Sequence, residues 1–115
     1  MVGPFENLEV WKRAVALSAA LYKELRDLRD YGFKDQLTKA GLSVASNIAE
    51  GMERDSRAEQ VRFLTIARSS CGEARTQIHV GMEVGYIEGD TGGRWIKESQ
   101  EISAMLVGLQ RKLKP

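Results

Sequence analysis

Arg57, Arg68 and Arg75 are spaced eleven and seven residues apart, with Arg54 and His79 close to the same line. At about 100° per residue the three return to within about 20° of one another on a helical wheel, so one helix carrying them presents a basic stripe. Guanidinium groups grip phosphate in fork geometry and supply affinity without reading sequence. On that chemistry Arg54, Arg57, Arg68 and Arg75 are candidate nucleic-acid-binding residues. The competing reading keeps them structural: arginines at the edge of an apolar face lay their stems on it and pair with acids nearby, for which Glu73, Glu83 and the acids of the first helix are available.

A second cluster of polar residues lies in Ser46-Asn47-Ile48-Ala49-Glu50-Gly51. On the wheel Asn47 and Gly51 fall inside the apolar stripe of Leu37, Ala40, Val44 and Ile48, and Glu50 sits at its edge. Gly51 then lets a neighbouring helix approach closely, within a small-residue face that includes Ala40, Gly41, Ala45 and Ala49. Such a glycine costs about 0.5–1 kcal/mol against alanine in a helix interior, so packing must offset it. A buried Asn47 needs partners for its amide on another helix, since an unsatisfied one costs roughly 1–3 kcal/mol. Glu50 and Arg54, four apart with the acid first, suit a helical ion pair. The stretch reads as a packing and registry device rather than a catalytic one.

Other chemistry lacks its parts. A cysteine nucleophile needs a base within hydrogen-bond reach, and the single histidine, His79, lies eight residues from the single cysteine, Cys71, on a different face of the same helix. Cys71 reads as a small core residue. A di-iron bundle requires Glu-x-x-His on two helices, but Thr76 stands three residues before His79. No Cys/His cluster has zinc spacing. The glycine-rich run Gly89-Asp90-Thr91-Gly92-Gly93 lacks the Lys-Ser/Thr of a phosphate-binding loop. No catalytic residue, metal ligand or cofactor is expected, and the chain reads as no enzyme.

These residues need helices to position them. The only prolines are Pro4 and Pro115, so nothing inside is barred from helix, and the apolar residues recur at helical spacing. A first helix is expected from about Asn7 to Arg29, with Leu8, Trp11, Val15, Tyr22 and Leu25 on one face and Ala14, Leu21 and Leu28 beside them. Tyr31-Gly32 breaks it, and a second helix starts near Phe33 with Leu37, Gly41, Val44 and Ile48 inward. Ser56 is placed to cap a third helix, with Glu59 three residues on; this helix reaches Gly85 and turns Phe63, Leu64, Ala67, Cys71, Ala74, Ile78 and Met82 to the core. Gly89 to Gly93 is expected as a turn whose Asp90 or Thr91 caps a fourth helix bearing Trp95, Ser99, Ile102, Leu106, Leu109 and Leu113. Short connections make successive helices antiparallel, so residues 1–115 are expected as one all-α domain, an antiparallel up-and-down four-helix bundle.

Composition narrows the setting. Hydrophobic residues make up 43% and charged residues 29%, a globular balance. A formal net charge of +1 supplies no global pull towards nucleic acid or membrane, so any such binding falls to a local patch. One cysteine, no apolar leader and no run approaching the ~20 residues of a membrane span make a cytoplasmic protein with no membrane partner the expectation.

Several motifs together resemble a family. Phe5-Glu6-Asn7-Leu8-Glu9-Val10-Trp11-Lys12, the Ser46 to Gly51 hexapeptide, Arg62-Phe63-Leu64-x-Ile66-Ala67 with Ser70, and Gly85-Tyr86-Ile87 look like the bacterial four-helix-bundle proteins encoded by intervening sequences of 23S ribosomal RNA genes. The likeness runs in order over nearly the whole chain. On this resemblance Trp11, Asn47, Glu50, Gly51 and Phe63 are motif and packing residues. The resemblance implies a small cytosolic four-helix bundle that assembles into a ring-shaped homopentamer, and it does not imply an enzyme. A related branch, the accessory variability determinants of diversity-generating retroelements, binds a reverse transcriptase and its template RNA through a basic surface. It makes structured RNA or an RNA-binding protein a partner to test, against the alternative of a purely structural or protein-interaction module.

Overall fold

In the computed structural model, which describes residues 3–114, the chain forms four helices: α1 (Glu9–Glu24), α2 (Tyr31–Met52), α3 (Arg57–Glu83) and α4 (Gly89–Leu113). Each packs on its neighbour in the chain and α4 closes back on α1, with no close backbone approach across either diagonal among the described residues. The result is the up-and-down four-helix bundle expected from short connections. It measures 45 × 25 × 21 Å, its long dimension close to the roughly 40 Å rise of the 27-residue α3.

The core is one continuous apolar column. Leu21, Leu37, Ile48, Leu64, Ile78, Ile102 and Leu106 are completely buried. The inward residues of α2, α3 and α4 follow the expected steps. Those of the first helical stretch follow them only in part: Ala14, Leu21 and Leu25 are buried as expected and Val10, Leu17 and Ser18 join them, whereas Val15 and Tyr22 are exposed. The first helix is thus rotated relative to the expected face, because α2 presents Gly41 at the level of Ser18 and Leu21 and draws that line of α1 inward.

Helix ends follow local chemistry. The first helix ends at Glu24, not Arg29, and starts at Glu9, not Asn7. The Asp30 carboxylate accepts the Phe33 N–H at 3.1 Å and caps α2, so Tyr31 and Gly32 lie in its first turn instead of breaking the chain before Phe33. The Phe33 amide, followed by the Tyr86 hydroxyl that donates at 2.8 Å, holds the Asp30 carboxyl below its ordinary range. Ser56 caps α3 as expected, its hydroxyl accepting from Glu59 N–H at 3.1 Å. Gly85 has φ +83°, the left-handed C′ residue that stops a helix. The Gly89 to Gly93 turn is absent: these residues form the first turn of α4 behind Glu88. Of the three glycines only Gly92 serves packing: it is buried, and a Cβ there would run into the Met82 side chain, whereas a Cβ at Gly89 or Gly93 would meet no described atom within 4 Å.

Gly51 acts as read. A Cβ there would stand 3.0 Å from Phe63 Cβ and 3.3 Å from the Gln60 carbonyl oxygen, so its bare backbone lets α2 meet α3 closely. Asn47 departs from expectation. Its amide donates to Ser43 O at 2.8 Å and Ser43 Oγ at 2.9 Å, within its own helix, because the short asparagine side chain reaches back one turn more readily than across. Registry passes one step further, through the 2.9 Å hydrogen bond between the Ser43 and Ser70 hydroxyls. Glu50 pairs with Arg54, and Trp11, half-buried, stacks tilted on Phe5 at 5.2 Å between centroids.

Candidate nucleic-acid interface

The four arginines of the candidate stripe separate into two kinds. Arg54 lies beyond α2, paired with Glu50 and with its guanidinium 4.8 Å from the Phe63 ring centroid. Arg62 lies 4.5 Å from the same ring and pairs with Glu59, whose carboxyl it holds below the ordinary range. Arg54 is therefore neutralised locally and belongs to an aromatic clasp around Phe63.

Arg57, Arg68 and Arg75 share the α4-facing edge of α3. Arg75 donates from Nε to Ser99 Oγ at 2.8 Å and from Nη2 to Ser103 Oγ at 3.1 Å and Ser99 O at 3.4 Å. Arg68 donates from Nη1 to Gln110 Oε1 at 3.1 Å. Gln110 in turn donates to Val61 O at 3.0 Å and to Thr65 Oγ1 at 2.8 Å. Arg57 lies at the far end, its Nη1 donating to Lys112 O at 3.5 Å, where the last carbonyls of α4 carry partial negative charge. The stripe is real as a line of side chains, but all three members are spent partly on docking α4.

The expected acid partners are not used. Among the described residues the ion pairs belong to Arg13, Arg54 and Arg62, so Arg57, Arg68 and Arg75 meet neutral acceptors and keep their full positive charge. Glu73 and Glu83 stay out because they project from other faces of α3. The acceptors Ser99, Ser103 and Gln110 escaped notice as site residues in the sequence. Their spacing of four and seven residues along α4 is the only signal there, and it acquires meaning once α4 is known to run antiparallel beside the arginines.

Reactive groups elsewhere are dispersed. The buried Cys71 thiol donates to Ser99 O at 3.1 Å, while His79 is exposed. Among the described residues no group of three His, Cys, Asp or Glu side chains is placed to hold a metal ion, and no helix is long and apolar enough to cross a membrane.

Comparison with solved structures places the same bundle in a protein of unknown function from the S23 ribosomal protein family of Bacteroides thetaiotaomicron. The TM-score is 0.82 and the identity 22%, over 88% of this chain and 97% of that one. No curated protein matches. The family model described as 23S rRNA-intervening sequence protein matches residues 6–108, a span containing the Trp11, Asn47, Gly51 and Phe63 packing positions and Arg57, Arg68 and Arg75; the chain belongs to the 23S rRNA-intervening sequence protein family.

Proposed function

We propose that the chain is a non-enzymatic, self-associating helical scaffold that engages structured RNA, or a ribonucleoprotein containing one, along the Arg57, Arg68 and Arg75 edge. The observation that carries the reading is charge without acid: three arginines in line, held by neutral acceptors, on a protein whose net charge is only +1. Phosphate oxygens suit such groups, and their binding releases counterions, so affinity falls with salt in proportion to the phosphates contacted. Membership of a family named for 23S rRNA intervening sequences makes an RNA-related setting in the cytoplasm the natural one to test.

The test is binding of a structured RNA fragment across a salt series. About three phosphate contacts correspond to a log-log slope near −2 to −3. Replacing Arg57, Arg68 and Arg75 together with glutamine is expected to flatten that slope to near zero and to cut affinity at least tenfold, about 1.4 kcal/mol. An unchanged slope would remove the edge from consideration.

Self-association rests on a different face. Val15 and Tyr22 of α1 and Leu42 of α2 are 39%, 47% and 47% exposed, and the family resemblance implies a ring of five copies. Tyr22→Lys with Leu42→Lys is expected to shift the protein to monomer in sedimentation equilibrium while its helical circular dichroism is retained. Sedimentation identical to wild type would place the interface elsewhere. If the assembly persists and RNA affinity is absent at every salt concentration, the protein is a structural or protein-interaction module.

A further inference from the structure

We infer that the cleft between α3 and α4, walled by Arg68 and Arg75, is a site for a single phosphate group. The inference rests on reading the arginine edge as phosphate-facing and names what one segment of it holds. The cleft is a groove open to solvent, with a volume of about 400 Å³, lined by Thr65, Arg68, Ser69, Gly72, Arg75 and Ser103. Every polar side chain in that set can donate a hydrogen bond, and none is acidic.

The donors are both oriented and incompletely used. A guanidinium carries five N–H groups. Among the described residues Arg75 commits Nε and Nη2 to Ser99 and Ser103, leaving Nη1 without an acceptor there, and Arg68 commits only an Nη1 N–H to Gln110. Each is anchored by part of its fork, and both residues line the cleft. Anchoring by neutral oxygens fixes a guanidinium without cancelling its charge, which a purely structural clamp has no need to preserve.

Position supports the same conclusion. Arg68 and Arg75 are two turns apart, about 10 Å along the axis, so their charges repel within roughly one Debye length at 0.1 M salt. A dianion between them relieves that repulsion for both. The residue between them is Gly72, and a Cβ built there meets nothing within 4 Å. Its lack of a side chain serves no helix packing; it leaves the floor of the cleft free.

The test is a titration of the full chain with inorganic phosphate at constant ionic strength, followed by the backbone amide resonances of Thr65, Ser69, Gly72 and Ser103. Saturable shifts confined to these residues are expected, and chloride at matched ionic strength should not reproduce them. Gly72→Glu enters open space in a helix interior, so it should fold at least as well as wild type while placing a carboxylate between the arginines. Phosphate affinity is expected to fall at least about tenfold, as for loss of a charge-assisted hydrogen bond, whereas Gly72→Ala should stay within about twofold of wild type. The same titration with a 5′-phosphorylated and a 5′-hydroxyl oligoribonucleotide separates sources: binding of the first alone assigns a terminal phosphate monoester, binding of both an internal phosphodiester.

No saturable shift, or equal phosphate affinity in Gly72→Glu and wild type, would overturn the site. If structured RNA binds both proteins alike, the cleft inference falls and RNA binding along the edge survives. If phosphate saturates the cleft but structured RNA does not bind, the site stands and the RNA reading falls.

Discussion

Combining Leu21→Ala with Gly41→Ala is expected to cost less stability than the two substitutions cost separately, by a coupling of roughly 0.5–3 kcal/mol. Leu21 is completely buried, and its Cδ1 lies 2.6 Å from where a Gly41 Cβ would stand. Leu21→Ala alone should fall in the upper part of the 2–5 kcal/mol range of buried leucine truncations. The cavity opens directly against Gly41, which has no side chain to move into it. Gly41→Ala alone gains up to about 1 kcal/mol of helix propensity but meets an immobile leucine, and overpacking of this kind costs about 1–3 kcal/mol. In the double variant the new methyl group occupies part of the space the leucine left. Urea unfolding of all four proteins gives the coupling directly. Additivity within about 0.3 kcal/mol would mean that the α1–α2 approach is not held by this pair. On a total stability of about 5–15 kcal/mol, the single Leu21 truncation is the most damaging substitution considered for this bundle.

The same pair explains why α1 was the least legible helix. Its apolar residues cover most of the wheel, so periodicity alone admits several inward faces. The face actually chosen depends on Gly41 of the neighbouring helix, which no reading of α1 contains. By contrast, α2, α3 and α4 carry narrower stripes, and their inward residues Val44, Ile48, Leu64, Ala67, Cys71, Ile78, Ile102 and Leu106 are buried as their spacing requires. Caps were legible where side chain and spacing agree, as at Ser56 with the Glu59 amide. They were misread where a glycine suggested a break: Gly32 stands behind the Asp30 cap, and Gly92 is needed for contact with Met82. The arginine line was visible from its eleven and seven spacing, but its partition was not. Which arginines meet carboxylates and which meet serine or glutamine depends on the register of α3 against α4.

Arg13→Gln is expected to loosen α1 from α4 by about 1–2 kcal/mol at neutral pH and to weaken the protein's acid sensitivity. Arg13 donates from Nε to Glu98 at 2.8 Å, from Nη2 to Glu98, and from Nη2 to Glu101 at 2.6 Å. These bonds cross the α1–α4 seam, the sparsest of the four. Side chains of Arg13 and Glu98 are 29% and 30% exposed, so the cost falls between the 0.2–1 kcal/mol of a surface pair and the roughly 3–5 kcal/mol of a broken buried one. Hydrogen bonds and charge from Arg13 hold the Glu98 carboxyl below its ordinary range. In the window between that depressed value and the unfolded-state value of about 4.3, the unfolded chain binds more protons than the folded one. Stability from this group is therefore fully present above about pH 4.3 and is lost as the pH falls through the folded value. Urea midpoints measured from pH 7 down to about pH 2.5 should show the wild type losing more stability over the acid limb than Arg13→Gln, with Glu98→Gln similarly flattened. Asp30 and Glu59 are also held low and remain in every variant, so the difference between curves isolates the seam. A constant offset between wild type and Arg13→Gln at all pH values would assign the arginine's contribution to packing of its stem. A difference that closes as Glu98 protonates would assign it to the charge that ties the first helix to the last.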